Sequence, residues 1–278
     1  MKNNCFICPI CGSSLQLSEN GASLVCGKET KPHCFDIASE GYVNLDRDHA
    51  GGGDSKECVR HRTAFLDSGY YDPIVRKMCE ILKDIALGGG ILLDAGCGDG
   101  FYTSSFAKLL PEMSVCGIDI SKHAVRYGAK RAKRENLKNN IYAVSSIFTL
   151  PFASENIDII TSVFAPCPEE EFSRALKKGG YLVIAAAGEK HLLGLKKALY
   201  DDIYMNEERA DMPSSDFELL KKERLSFTIS LGSNEDILNL FSMTPYYYRT
   251  SLKDKEKLTS LSSLESEIEI DFFIYRKV

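Results

Sequence analysis

From about residue 63 onward, short apolar runs alternate with amphipathic stretches, and this alternation most narrows what the chain can become. The apolar runs are ILLDAG (91–96), SVCGIDI (114–120), IYAVSS (141–146), IDIITSVFA (157–165) and YLVIAAA (181–187). Runs of this length and composition suit strands of a parallel sheet whose two faces are covered by the intervening helices. Two later runs, ERLSFTISL (223–231) and EIEIDFFIYRKV (267–278), alternate more strictly. Strict alternation suits antiparallel pairing at a sheet edge. The expected fold class is α/β, with a seven-stranded, mostly parallel sheet.

The first apolar run ends in LLDAGCGDGFY, where Asp94 is followed by Gly96, Gly98 and Gly100. Glycines there let backbone amides turn tightly and approach a ligand with no Cβ in the way. The loop also feeds a helix N-terminus, which favours polar or negative ligand groups. The spacing is GxGxG and differs from the dinucleotide fingerprint GxGxxG. This variant resembles the S-adenosylmethionine loop, and the strand layout resembles class I (Rossmann-like) methyltransferases. The second strand ends at Asp119, 25 residues after Asp94. A carboxylate at that place can accept both ribose hydroxyls of an adenosine. The third run ends in Ser145 and Ser146, and Ser146 is read either as an adenine contact or as a polar turn residue. The fourth leads into VFAPCPEEE, which puts Phe164 where a methyl acceptor would lie, at the carboxyl ends of the strands.

The N-terminal stretch carries a second signal. Five of the ten cysteines fall within the first 34 residues, with CPIC at Cys8 and Cys11, then Cys26, His33 and Cys34. The N-terminus MKNNCFICPI lacks the apolar core of an export signal, so a cytoplasmic chain binding metal is expected over a disulfide framework. No apolar run is long enough to span a bilayer. Three thiolates with one further ligand suit structural zinc. On spacing alone, the fourth ligand is open between His33 and Cys34, with Cys5 a further rival. The glycine run in DRDHAGGGDSK (46–56) reads as a flexible connector. A net charge of −5 argues against nonspecific nucleic-acid binding. The basic stretch 121–138 reads as the solvated face of a helix.

CPIC, HCFDIASEGYVNL, GDSKECVRHRTAFLDSGYYDPI, LLDAGCGDGFYT, FAPCPEEEFSRALKKGG, GEKHLLGLKKALY and MTPYYYR occur in that order. Together they resemble the RlmA family of 23S ribosomal RNA guanine-N1 methyltransferases, over nearly the whole chain. The resemblance implies a zinc-binding RNA-recognition domain at 1–45, a linker and cofactor-flap segment at 46–72, and an S-adenosylmethionine-dependent methyltransferase domain at 73–278. It implies a homodimer that binds an rRNA hairpin. It places the fourth zinc ligand on His33, although this chain has a longer spacer after Cys26 than the family's usual one. It also implies cofactor contacts from Tyr71, Gly98, Asp99 and His191. By themselves, Tyr71 would read as a core aromatic and His191 as a surface histidine.

Methylation at guanine N1 requires an unpaired or flipped base held by an aromatic or guanidinium plane, and a group to receive the N1 proton. Arg60, Arg62, Tyr70 and Phe164 are the candidates for holding RNA. Glu170, Glu171 and Asp67 are the candidates for the base, with nothing to rank them. Two other readings are a small-molecule methyltransferase with a zinc knuckle and a noncatalytic RNA binder. The HxFDxAxEGYVNL element argues against the first. The intact glycine loop and Asp119 argue against the second.

Overall fold

The computed structural model describes residues 5–28, 30–46, 53–86, 88–207 and 215–278. The centre of the expected glycine-rich connector, 47–52, lies outside the described residues. A small antiparallel sheet comes first, with β1 (Leu15–Leu17), β2 (Ser23–Cys26) and β3 (Cys34–Asp36) in that order. The remaining strands are β4 (Tyr42–Asn44), β5 (Gly90–Ala95), β6 (Met113–Asp119), β7 (Asn140–Val144), β8 (Ile157–Val163), β9 (Leu176–Ala187), β10 (Phe217–Leu231) and β11 (Leu264–Lys277). They form one sheet in the order β10-β11-β9-β8-β5-β6-β7-β4. Pairing is parallel from β4 through β9, and β11 runs antiparallel to both β9 and β10. The helices are α1 (Lys56–Asp67), α2 (Asp72–Ile85), α3 (Phe101–Leu109), α4 (Lys122–Arg134), α5 (Glu169–Ala175), α6 (Leu193–Leu199), α7 (Asn234–Ser242), α8 (Tyr246–Arg249) and α9 (Leu252–Thr259).

The class I methyltransferase arrangement is present, with every apolar run on an expected strand. Strand order reverses beside β5, between β6 on one side and β8 on the other. In such sheets this reversal opens a crevice at the carboxyl ends of the strands. Three details differ from expectation. The sheet has eight strands, because Tyr42, Val43 and Asn44 pair in parallel with Tyr142, Ala143 and Val144 of β7. The stretch GYVNL, assigned to the zinc-binding domain, thus forms an edge of the main sheet. Of the two alternating strands, only β10 is an edge. β11 lies inside the sheet and is buried from Ile268 to Tyr275. Its Asp271 is tolerated there because Arg224, its register partner on β10, donates to both carboxylate oxygens at 2.6 and 2.7 Å. Third, the segment expected as a linker, 46–72, contains α1. Ser55 caps this helix by accepting from the Cys58 amide.

The small sheet does not hang free. Phe6 meets Phe152 edge to face at 5.2 Å, and the Ile7 amide donates to the Pro151 carbonyl at 2.8 Å. The Cys5 thiol lies 3.0 Å from that of Cys116 in β6. The basic stretch on α4 is only partly a solvated face. Arg126 pairs with Glu40, Lys133 donates to the Ser39 carbonyl, and Arg131 pairs with Asp67 and Asp99. These contacts hold the turn that leads into β4 and tie α4 to α1 and the glycine loop.

The ring of Tyr142 fills a slot that only glycine can line. A Cβ on Gly100 would meet the Tyr142 hydroxyl at 2.5 Å and Gly128 at 2.7 Å, and the φ of Gly100 is +74°. Both steric overlap and a left-handed backbone oppose an L side chain there. Gly100→Ala is expected to destabilise the fold by about 2–4 kcal/mol. In thermal unfolding this would appear as a midpoint lowered by roughly 5–10 °C.

Candidate cofactor cavity and metal centre

A cavity of about 1270 Å³ opens at the carboxyl ends of the parallel strands. Its floor is the loop Gly96–Asp99 after β5, Asp119 at the end of β6, Ser146 after β7, Phe164 after β8 and His191 after β9. Arg62 on α1, and Tyr246, Tyr248 and Arg249 on α8, close it from the other side. One backbone carboxylate clasp joins the first two floor elements. Asp119 accepts from the Gly98 amide at 3.0 Å and from the Ser121 amide at 2.8 Å. Burial pushes its carboxyl above the ordinary range, and these two amides oppose that shift. Gly96 makes room for the turn after β8, since a Cβ there would stand 2.6 Å from that of Ala165.

His191 and Tyr71 meet at the other end of the floor. The Tyr71 hydroxyl is 3.5 Å from His191 Nε2, and the rings of His191 and Phe164 stack at 5.5 Å. Burial, with a smaller push from Lys196, lowers the His191 pKa to about 3. The imidazole is therefore neutral at physiological pH. Its Nδ1 has no hydrogen-bond partner among the described residues, and neither has the Tyr102 hydroxyl. Both residues line the cavity. Unpaired buried polar atoms are costly, and a polar ligand in the cavity would satisfy them. The residues therefore fit a nucleoside-like ligand with a charged tail. Phe164 and Leu192 both have left-handed backbones, with φ of +53° and +61°. For bulky residues this costs of order 1–2 kcal/mol each. Their amides donate hydrogen bonds to the carbonyls of Ala185 and Glu267, at 2.9 and 2.7 Å, which hold them in place.

Of the expected cofactor residues, Tyr71, Gly96, Gly98, Asp99, Asp119, Ser146 and His191 line this cavity, whereas Asp94 and Gly100 do not. Asp94 lies beneath the loop and accepts from Thr103 at 2.5 Å and Thr161 at 3.0 Å. Burial lifts its pKa to about 6 against those two bonds. Its place is structural, knotting β5 to α3 and β8. Asp99 turns its carboxylate to Thr63 and Arg131. Of the residues expected to hold RNA, Phe164 and Arg62 reach the cavity and Arg60 and Tyr70 do not. Arg62 lies over Gly98 and pairs with Asp54, on the cofactor side of the cavity. Tyr70 donates to Asp236. None of the three acids considered as the base lines the cavity. Glu171 holds the Leu150 amide and Arg174, Asp67 pairs with Arg131, and Glu170 sits on α5 outside the lining. Sequence reasoning did not single out Tyr102, Tyr248 or the strap Tyr204–Glu207, all of which line the cavity. Only their tertiary placement in the lining marks them, and that is not readable from sequence.

The candidate metal centre is formed by Cys8, Cys11, Cys26 and His33, whose ligand atoms all lie within 4.8 Å of one another. His33 Nδ1 is 3.4 Å from Cys8 Sγ and 3.6 Å from Cys26 Sγ. Two ligands at tetrahedral zinc, with bonds of about 2.3 Å to sulfur and 2.05 Å to nitrogen, stand about 3.5 Å apart. The His33 amide donates to Cys26 Sγ at 3.1 Å, the kind of outer contact that orients a thiolate ligand. Cys34 is exposed and outside the cluster, and Cys5 faces Cys116 instead. The donor set fits zinc in a closed structural site.

Two outcomes follow from this geometry. Purified protein is expected to carry about one zinc per chain. His33→Ala should lose the metal and Cys34→Ala keep it, as read by elemental analysis. For His191, the folded pKa lies below the unfolded value of about 6.5, so the unfolded chain binds more protons between pH 6.5 and 3. The stability linked to this residue is fully present above about pH 6.5 and is lost as pH falls toward 3. Thermal unfolding from pH 7 to pH 5 should therefore lower the midpoint less in His191→Gln than in the unsubstituted protein.

Comparison with known proteins places both parts. Residues 6–45 match the family model described as RlmA, N-terminal, and residues 88–242 match a methyltransferase domain. The 23S rRNA (guanine(748)-N(1))-methyltransferase of Streptomyces fradiae is 30% identical, over 81% of this chain and 79% of its own length. YxjB of Bacillus subtilis strain 168, provisionally named a 23S rRNA (guanine-N1)-methyltransferase, is 26% identical over 98% of this chain and 97% of its own. The crystal structure of a provisionally assigned methyltransferase from Bacillus halodurans C-125 superposes with a TM-score of 0.50 at 17% identity, over 71% of this chain and 97% of that one, which speaks for the fold alone. A class I methyltransferase domain preceded by a Cys3His zinc ribbon, matched in both parts, makes this chain a member of the RlmA family.

Proposed function

We propose that this chain transfers a methyl group from S-adenosylmethionine to N1 of a guanine in a hairpin loop of 23S ribosomal RNA. One observation carries the reading. A single cavity joins a glycine loop with a clasping carboxylate to a rim of exposed aromatic side chains. Phe148, Phe164, Tyr204 and Tyr248 are between 43% and 64% exposed, and all four line it. Exposed aromatic faces suit an unstacked base. The relatives named for 23S rRNA guanine-N1 methylation, and the RlmA-type ribbon, favour that acceptor over a small molecule.

In this reading Asp119 holds the ribose hydroxyls and Ser146 meets the adenine edge. Tyr71, Tyr102 and His191 line the methionine end, with Arg62 over Gly98 available to a carboxylate. S-adenosylmethionine supplies a methyl carbon already activated by its positive sulfur. The chain's part is to align, to exclude water and to present the base. Neutral His191 suits this role, because an imidazolium would repel a sulfonium. Phe164, stacked on His191, offers its other face to the acceptor base. The ribbon presents a surface to the RNA hairpin without a large core of its own. Among the described residues no helix is long and apolar enough to cross a membrane. A cytoplasmic homodimer belongs to the same proposal.

The test is methylation of unmodified 23S rRNA, mapped by primer extension. Methyl at N1 blocks Watson–Crick pairing, so the expected result is one new stop, a nucleotide short of a hairpin-loop guanine. Calorimetric binding of S-adenosylmethionine with no new stop would overturn the acceptor assigned here.

A further inference from the structure

The proposed reaction needs a group to receive the N1 proton, and the cavity offers few. Four carboxylates line it among the described residues: Asp54, Asp99, Asp119 and Glu207. Three are engaged at the glycine-loop end. Asp54 pairs with Arg62, Asp99 accepts from Thr63 and Arg131, and Asp119 clasps two backbone amides. Glu207 is exposed and has no hydrogen-bond or ion-pair partner among the described residues. It follows Tyr204, Met205 and Asn206 in the lining of the same cavity, beside the strand end that carries His191.

The backbone next to Glu207 is held by part-buried contacts of Asn206 and Tyr204. The Asn206 amide donates to the Glu189 carbonyl at 3.0 Å. Its side-chain nitrogen donates to the carbonyls of Gly188 and His191, at 3.0 and 2.9 Å. Its side-chain oxygen accepts from Lys196 at 2.7 Å and from the Tyr246 hydroxyl at 3.2 Å. Lys196 is 1% exposed, lies 4.4 Å from the Tyr204 ring centroid and donates to the Tyr204 carbonyl at 3.0 Å. Burying an ammonium group is expensive unless its donors are met. Here it fixes an otherwise irregular strap directly against the strand end that carries His191.

We propose that Glu207 is the catalytic carboxylate that reads the Watson–Crick edge of the acceptor guanine, with the base lying against the Phe164 ring. This rests on the function proposed above. A carboxylate accepts from N1–H and from the N2 amino group at once. Adenine presents a lone pair at N1, which a carboxylate repels, so the same group separates guanine from adenine. In the transfer step, guanine N1 forms a bond to the methyl carbon as the carbon–sulfur bond breaks, its electron pair staying on sulfur. The N1 proton passes to a Glu207 carboxylate oxygen.

The test uses the full zinc-loaded chain and an RNA containing the mapped target. Glu207→Gln keeps size and one acceptor but cannot take the proton. It should lower kcat by roughly 100-fold or more. S-adenosylmethionine affinity should be unchanged, and Glu207→Asp should recover part of the loss. Inosine at the target position lacks the N2 amino group. It should lower kcat/KM of the unsubstituted enzyme roughly tenfold and add little to the deficit of Glu207→Gln. If the unsubstituted enzyme methylates guanine N1 and Glu207→Gln keeps pace, or if inosine affects both equally, Glu207 is not the acceptor. If the unsubstituted enzyme makes no 1-methylguanine, the proposed function itself fails.

Discussion

The Asp119 carboxylate is the contact on which the rest of the site depends. Its two oxygens hold the Gly98 amide of one loop and the Ser121 amide of its own turn. The Ser121 hydroxyl in turn donates to the Asp54 carbonyl at 2.8 Å, and the Asp54 side chain holds Arg62. The carboxyl end of β6 therefore fixes the glycine loop, the entry to α1 and the guanidinium above them. A buried carboxylate with matched donors is directional, and losing one partner leaves an unpaired charge.

A second dependence runs through the loop after β7. Ser146 and Phe148 line the cavity, while Pro151 and Phe152, a few residues on, receive the zinc ribbon through Ile7 and Phe6. Glu171 takes the Leu150 amide at 2.6 Å, and Arg174 donates to the carbonyls of Leu150 and Phe152 at 3.2 and 2.8 Å. Glu171 thus has a structural use where a catalytic one had been considered. The ribbon and the cavity grip opposite ends of one short segment, so the metal-held module buttresses that part of the lining from behind. β4 reinforces this link by adding the chain just after the ribbon to the main sheet.

Strain gathers where chemistry is expected. Phe164 and Leu192 accept left-handed backbones on either side of the Phe164–His191 stack. Each is held by a hydrogen bond from its amide to a carbonyl of a neighbouring strand, so the cost is carried by the sheet rather than by the loops. Burial keeps His191 neutral, and its Nδ1 and the Tyr102 hydroxyl, without partners among the described residues, are polar atoms that a ligand in the cavity would meet.

The sequence by itself determined the seven apolar strands, the turn at Gly96–Gly100, the acid at the end of β6 and the ligand set Cys8, Cys11, Cys26. These are local facts, because periodicity, glycine sterics and ligand spacing act over a few residues. His33 over Cys34 was suggested by family likeness. Their order along the chain was also enough to suggest the RlmA family before any coordinates. Only the tertiary structure decided which face each polar group turned to. Asp94 near the end of β5 and Gly100 at the end of the glycine loop look like Asp119 and Gly98 in sequence, yet packing against Thr161 and Tyr142 takes them out of the cavity. Tyr102 and Tyr248 fall in stretches whose pattern assigns them no role and Glu207 carries no motif, and all three reach the cavity because elements far apart in the chain converge at the carboxyl ends of the strands. Exposure and pairing depend on those distant neighbours, which no local pattern encodes.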